Sequence, residues 1–229
     1  MLKWSPELLR SMFWQSAGKK GRGAQKLFEV PPGAEFEAVK AIFLGAPPER
    51  PYYQHPRGWA RADVIKIERV ENGTLNEKAT TQHSVLRTSL AEQGISLIGG
   101  LHVRWLFHGT AAIEKIIENP VSGFEPGFIG FRVPHMLWGK FIYFARDAQY
   151  SHAFSRPVGG GGARQLLTCL VETGVSCVAD KDMAFWLPYQ LPDKHLKYHS
   201  AVDCISSPEI FCVGEGASAY PAYVITYVA

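Results

Sequence analysis

The chain has 229 residues, of which 46% are hydrophobic and 20% are charged, and its formal net charge at pH 7 is +3. This composition is typical of a globular protein with a sizeable core and excludes a disordered chain. The positive charge is too small to indicate nucleic-acid binding by itself, and no apolar run is long enough to predict a transmembrane helix.

The first predicted element is a short amphipathic helix within residues 1–15. It starts near Ser5 and Pro6, which suit the cap and first-turn positions of a helix. A basic stretch, GKKGRG at 18–23, follows. It is interpreted as a solvated, flexible linker, with a phosphate or nucleic-acid contact as the alternative. We therefore expect a leading segment at 1–33 and one folded domain at 34–229.

The folded domain is predicted to begin with helices and one strand. Residues 34–44 place their apolar side chains on one helical stripe, and the proline-rich stretch 45–58 indicates a loop. The alternating, β-branched run at 64–70 predicts a strand. Residues 71–93 indicate a turn and a second helix.

Strands dominate after residue 101, with one helix following the HGT motif at 108–110. Strand character is found at 101–107, 141–145, 163–176, 210–213 and 222–229. Four glycines at 159–162 lack the Lys-Ser/Thr of a phosphate-binding loop and are interpreted as a flexible connection. The expected fold class is α+β, with helices toward the N-terminus and mostly antiparallel sheets after them.

The cysteines favour a reducing compartment. Four of them occur, with no CxxC pair and no histidine pair at finger spacing, so we expect no metal site. They are interpreted as reduced thiols in the core. The N-terminus lacks the apolar run and cleavage site of a signal peptide. The expected location is therefore intracellular and cytoplasmic.

Two segments could carry chemistry. His108 and Gly109 stand at the end of a strand, where a glycine lets a ligand approach the backbone closely, and Thr110 could cap the helix that follows. Tyr143, Ser151 and Phe154 could together stack on, and hydrogen-bond, a planar amide. Each segment alone has a purely structural alternative.

Taken in order, these segments resemble the catalytic domain of the poly(ADP-ribose) polymerase family, the diphtheria-toxin-like ADP-ribosyltransferases. WLFHGT resembles the first motif of that family, GKFIYFARDAQYSHAFS its central Tyr-Ser segment, and YHSAVDCISSPEIF with SAYPAYVITY its closing strands. The likeness spans roughly residues 34–229. It implies an ADP-ribosyltransferase fold with two packed, mostly antiparallel β-sheets and a few helices.

The resemblance implies a set of NAD-binding residues. His108 falls on the histidine that holds a ribose hydroxyl, and the backbone of Gly109 on the group that holds the nicotinamide carboxamide. Tyr143 falls beside the nicotinamide ribose, and Ser151 on the serine that binds the carboxamide. Phe154 falls where an aromatic ring stacks on nicotinamide. Thr110 is expected among the NAD-binding residues, and the loop at about 123–138 is expected to line the donor site.

Ile210 occupies the third catalytic position by the same resemblance. Polymerising members carry glutamate there, whereas a hydrophobic residue is typical of members that transfer one ADP-ribose. The His108-Tyr143-Ile210 set therefore implies a mono-ADP-ribosyltransferase that uses NAD as substrate and needs no metal. A slip of one residue would bring Glu209 into that position instead. The sequence also departs from the family at Phe141, where glycine is usual.

Three hypotheses follow for function. The first is transfer of ADP-ribose to a macromolecular acceptor, protein rather than nucleic acid, with no membrane partner. The second is an inactive family member that binds a partner. The third is a toxin or effector that modifies RNA, for which the basic cluster at 19–22 is the supporting feature.

Overall fold

The computed structural model describes residues 5–15, 26–45, 59, 62–119, 123–125, 138–183, 186–190, 192 and 195–229. The basic stretch 18–23, residues 46–58 of the proline-rich stretch and most of the loop 123–138 lie outside these residues. The helices are α1 (Pro6–Phe13), α2 (Ala34–Phe43), α3 (Gly73–Glu92), α4 (Ile113–Glu118) and α5 (Ala148–His152). The strands are β1 (Leu27–Glu29), β2 (Asp63–Val70), β3 (Val103–His108), β4 (Ile142–Ala145), β5 (Arg156–Pro157), β6 (Arg164–Glu172), β7 (Ser176–Val178), β8 (Ser200–Val202), β9 (Ile210–Val213) and β10 (Ala219–Val228).

The strands form one hydrogen-bonded path in the order β1-β2-β10-β6-β3-β4-β9-β8-β7, with β5 beside β6. Every pairing is antiparallel among the described strands except that of β7 with β8. Strands β3 and β4 are joined through a single residue pair, Phe107 with Ala145. The path therefore has two halves that meet at β3 and β4, and the α+β class with mostly antiparallel pairing is confirmed.

Strand β6 is buried on both faces and separates two parts of the core. Leu166 and Leu170 belong to a cluster with side chains of α2 and α3, whereas Leu167 and Val171 belong to a cluster with α4 and β9. Alternate residues of a strand point to opposite faces. The near-continuous apolar run in β6 therefore serves two layers at once.

The N-terminal segment contacts the main sheet. Leu9 of α1 is buried in the larger core cluster, and Asn76 of α3 donates a hydrogen bond to the carbonyl of Pro6 at 2.8 Å. Strand β1 pairs with β2 along Leu27 to Glu29. The expected division at residue 33 stays a prediction.

Most predicted elements are confirmed, and the differences are local. The segment 163–176 forms two strands, because the N–H groups of Thr173 and Gly174 both donate to the carbonyl of His102 and end β6. The short α5 and β8 were not predicted as separate elements. The four glycines at 159–162 form the turn between β5 and β6.

The expectation that all four thiols lie in the core is wrong for one of them. Cys169 and Cys212 are buried, and Cys177 is half-buried, but Cys204 is exposed in the loop before β9. All four are free thiols. In the part of the chain that is described, no helix has the length and apolar character that a membrane span requires.

Candidate active site

His108 is the last residue of β3 and its ring is held in one orientation. Its Nδ1 lies 2.7 Å from the carbonyl oxygen of Tyr143. A carbonyl only accepts hydrogen bonds, so Nδ1 carries the proton and Nε2 of the neutral ring is left as an acceptor. Phe124 and Phe144 pack against the ring at centroid distances of 5.2 and 5.5 Å. Burial lowers the pKa of His108, which favours this neutral form.

The buried ring of His108 predicts a loss of stability in acid. Because the folded protein has the lower pKa, the unfolded chain takes up a proton first as the pH falls below about 6.5. The stabilisation by neutral His108 is complete above that pH and is lost as the pH falls from 6.5 to the lowered pKa. Within this window, His108 lowers the free energy of unfolding by at most about 1.4 kcal/mol for each pH unit. Urea unfolding measured from neutral to mildly acidic pH tests this, and His108→Gln should show a shallower slope. Equal slopes for the two proteins would contradict it.

The hydroxyl of Tyr143 is fixed from two sides. It donates to the carbonyl of Gly139 at 2.8 Å and accepts the N–H of Trp138 at 3.2 Å. Burial raises the pKa of Tyr143, so the phenol stays protonated. Phe141 is fully buried in a cluster that includes Cys212, with Trp138 and Tyr143 packed against it. Its ring therefore supports the tyrosine from within and does not turn outward.

Gly109 meets Ser151 and Phe154, although both lie far from it in the sequence. A Cβ added at Gly109 would lie 2.1 Å from the carbonyl oxygen of Ser151 and 2.9 Å from Cβ of Phe154. Only a residue without a side chain permits this approach of β3 to α5. The hydroxyl of Ser151 makes no hydrogen bond with any residue that the structure describes. Phe154 is 57% exposed, so its ring is available to a planar ligand.

Thr110 plays a different local role from the expected helix cap. The cap position of α4 is Ala112, without a side-chain cap, and Thr110 Oγ1 accepts the Ala112 N–H at 3.1 Å. The hydroxyl therefore closes a short turn between β3 and α4. This turn leads the chain away from the strand directly after Gly109.

The position of Ile210 in the sheet distinguishes it from Glu209. Ile210 pairs with Ala145 and Cys212 pairs with Tyr143, so these four residues lie on one face of the β4–β9 ribbon. Glu209 precedes the strand, and its carboxylate lies 3.5 Å from Nη2 of Arg146, with 49% of the side chain exposed. Ile210 therefore shares the face of Tyr143, and the neighbouring carboxylate is directed to an arginine.

Residues that the sequence analysis did not single out also shape the site. Oδ1 of Asp203 accepts the N–H groups of Glu209 and Ile210, at 2.9 and 3.0 Å, and so anchors the start of β9. The ring of Tyr150 lies beside that of Phe154, with centroids 6.3 Å apart. The spacing of four residues between these aromatics was a usable signal, because such residues share one face of a helix. No comparable local signal marks Asp203.

The arrangement can hold a planar amide and a sugar through hydrogen bonds and stacking. The described residues contain no group of three or more His, Cys, Asp and Glu side chains that could bind a metal ion. The backbone of Gly109, the hydroxyl of Ser151 and the exposed ring of Phe154 lie together. The neutral imidazole of His108 and the fixed phenol of Tyr143 belong to the neighbouring strands β3 and β4. These groups supply hydrogen bonds and stacking, which are the means of positional catalysis.

Comparison with known proteins identifies relatives over most of the chain. The sequence model of the poly(ADP-ribose) polymerase catalytic-domain family matches residues 49–228. The human protein mono-ADP-ribosyltransferase PARP12 is 29% identical over 221 residues, which cover 94% of this chain and 27% of that protein. Mouse PARP12 is 30% identical over 223 residues, with the same two coverages. Mouse protein mono-ADP-ribosyltransferase PARP10 is 26% identical over 168 residues, covering 72% of this chain and 16% of that protein. The chain thus spans about a quarter or less of the length of these relatives.

Proposed function

The chain belongs to the poly(ADP-ribose) polymerase catalytic-domain family, and we propose that it is an NAD-dependent mono-ADP-ribosyltransferase acting on protein. One observation carries this proposal. The ring of His108 donates a 2.7 Å hydrogen bond to the backbone carbonyl of Tyr143, and Ile210 lies on the same face of the sheet as Tyr143. The names of the relatives, which are protein mono-ADP-ribosyltransferases, support both the single transfer and the protein acceptor.

The site residues divide the binding of NAD between them. The backbone of Gly109 and the hydroxyl of Ser151 hold the nicotinamide carboxamide, and Phe154 stacks on its ring. Nε2 of His108 accepts a hydrogen bond from a ribose hydroxyl, because the Nδ1–H group already donates to the backbone carbonyl of Tyr143. Tyr143 packs beside the nicotinamide ribose. The turn made by Thr110 keeps α4 clear of the carboxamide.

These contacts promote cleavage of the bond between C1′ of the ribose and the nicotinamide nitrogen. The bonding electrons leave with nicotinamide, which becomes neutral, and positive charge develops on the ribose. An acceptor oxygen or nitrogen then bonds to C1′ and gives up its proton. Fixing the leaving amide and the sugar lowers the entropic part of this barrier. With Ile210 at the third position, a group of the acceptor itself must provide the activation that glutamate provides elsewhere.

The location proposed for this reaction is the cytoplasm. The described cysteines are free thiols, which is the usual state in a reducing compartment. A toxin or effector delivered into that compartment would meet the same conditions.

The experiment that tests the function is incubation of the protein with labelled NAD and a cell lysate. The expected result is discrete label that protease removes and RNase leaves intact, together with release of nicotinamide. Label sensitive to RNase would move the acceptor to RNA. A ladder of long polymer would contradict the assignment of Ile210. If neither label nor nicotinamide is formed, the enzyme proposal fails and a binding module becomes the better account.

Glu209→Gln is expected to change the transfer rate by less than about fivefold. Its carboxylate is half-exposed and paired with Arg146, and an exposed ion pair contributes at most about 1 kcal/mol. The measurement is kcat/KM for NAD with the same acceptor, and Glu215→Gln, an exposed glutamate beyond β9, is the control. A loss of about 100-fold, on the scale of a missing transition-state contact, would mean that Glu209 and not Ile210 acts at the third position.

A further inference from the structure

The segment that carries Ser151 and Phe154 is too short to hold its own position. Helix α5 has five residues and includes Ser151, and Phe154 follows two residues after the helix ends. A helix of this length is not stable by itself, because one or two turns do not offset the cost of nucleation. The ring of Phe154 is exposed, so the core does not fix it either. The position of this α5 segment, residues 148–155, therefore depends on contacts with other parts of the chain.

Arg164, the first residue of β6, makes two short hydrogen bonds to the end of the α5 segment. Its Nε donates to Oγ of Ser155 and its Nη2 donates to the carbonyl oxygen of Ser155, both at 2.6 Å. Oγ of Ser155 in turn donates to the carbonyl oxygen of His152 at 2.6 Å. Because the guanidinium group is planar, two bonds from it to one residue fix direction as well as distance. Arg164 therefore orients the backbone directly after Phe154.

A tyrosine on the neighbouring strand holds the same segment. Tyr227 of β10 lies opposite Arg164 in the sheet, so their side chains share one face. The buried hydroxyl of Tyr227 lies 3.1 Å from Nδ1 of His152, and Trp59 packs edge-on against the His152 ring at 5.2 Å. Among the described residues, Arg164 and Tyr227 are the two whose side chains hydrogen-bond to the α5 segment from elsewhere in the chain. Of these two, Arg164 supplies the charged donors.

The ribose side of the candidate site is held by different contacts. The ring of His108 is oriented by the carbonyl of Tyr143, and the phenol of Tyr143 is held by Gly139 and Trp138. None of these hydrogen bonds involves Arg164 or the α5 segment. A change at Arg164 should therefore reach the nicotinamide contacts and leave the ribose contacts in place.

We propose that Arg164 is a positioning residue for nicotinamide binding. The inference rests on the proposed function, in which the hydroxyl of Ser151 holds the carboxamide and the ring of Phe154 stacks on nicotinamide. Arg164 acts through Ser155 and not by contact with the ligand. It keeps the α5 segment in the position at which both groups meet the same planar ligand.

The test is calorimetric titration of the whole chain with nicotinamide and, separately, with ADP-ribose, which contains the ribose but no nicotinamide. Arg164→Met keeps the apolar stem and removes the donors, and it should raise the Kd for nicotinamide by about tenfold. The Kd for ADP-ribose should stay at the wild-type value. Arg164→Lys keeps the charge without the planar pair of donors and should give an intermediate Kd for nicotinamide.

The matched control is Arg156→Met, which makes the same change one residue after Ser155. The guanidinium group of Arg156 pairs with the half-exposed carboxylate of Glu114 and not with the α5 segment, so nicotinamide should bind as it does to the wild type. Ser155→Ala keeps the test valid if Arg164→Met fails to fold. It removes one of the two acceptors and should weaken nicotinamide binding in the same direction. Thermal unfolding of each variant establishes that it is folded.

Two results would overturn the proposal. One is wild-type affinity for nicotinamide in the folded variants of Arg164 and Ser155. The other is an equal loss of affinity for nicotinamide and ADP-ribose, because a general loosening of the domain produces that pattern. Failure of the proposed function appears separately, in the wild type, as the absence of NAD and nicotinamide binding before any variant is compared.

Discussion

Replacing His108 with alanine is expected to lower kcat/KM for NAD in ADP-ribose transfer by at least about 100-fold, or about 2.7 kcal/mol. The ring is buried and oriented by its 2.7 Å bond to the carbonyl of Tyr143, so alanine removes an acceptor that the fold holds in one position. The variant loses the acceptor, Nε2 of His108, that is proposed to position the ribose. The measurement is the initial rate of nicotinamide release and of protein labelling over a range of NAD concentrations.

The control separates the loss of chemistry from the loss of fold. His108 is only 9% exposed, so its removal leaves a cavity and lowers the free energy of unfolding as well. Rates are therefore compared at a temperature where circular dichroism shows both proteins folded. His195→Ala, which removes an exposed histidine, should retain the wild-type rate. Transfer by folded His108→Ala at the wild-type rate would remove the basis of the assignment.

Gly109→Ala is expected to abolish NAD binding, with a loss of affinity of at least about 100-fold. The added methyl group would lie 2.1 Å from the carbonyl oxygen of Ser151, far inside van der Waals contact, and 2.9 Å from Cβ of Phe154. Because the obstructing atoms belong to the backbone and to a Cβ, α5 must move away from β3. That movement separates the backbone of Gly109 from the hydroxyl of Ser151 and the ring of Phe154, the groups proposed to bind nicotinamide.

Gly160→Ala is the matched control for this substitution. A Cβ at Gly160 would meet no atom within 4 Å, so the same chemical change there costs nothing in packing. Binding of NAD to each variant can be measured by calorimetry, with thermal unfolding as the check on the fold. Wild-type affinity in Gly109→Ala would show that α5 can move away from β3 without an energetic cost. It would also show that the close approach of Gly109 to Ser151 is not part of the NAD site.

Several parts of the candidate site follow from local sequence signals. The strand at 210–213 was predicted with the boundaries that the structure has, and the strand before His108 ends at that residue. Alternation and β-branching act on neighbouring residues, so a short window of sequence contains them. The order of the motifs then indicated the family, which the match over residues 49–228 confirms.

Other features depend on contacts between distant parts of the chain. Phe141 stands where glycine is usual in the family, and only its complete burial with Cys212, in the paired strand β9, shows that its ring packs in the core. Cys204 and Cys212 have the same side chain, yet one is exposed and one buried. Residue type alone cannot distinguish these two cysteines, because burial depends on which segment packs against each of them.

The sequence by itself determined the secondary structure of most segments, the order of the motifs and the identity of His108 and Tyr143 as candidate residues. Only the tertiary structure decided that Gly109 meets Ser151 and that Ile210 shares the face of Tyr143. Local conformational preference extends over a few residues, whereas these two facts depend on strand register and on packing between segments far apart in the chain. Strand register depends on the pairing of the whole sheet and on the packing of its two core layers, so a short stretch of sequence does not contain it.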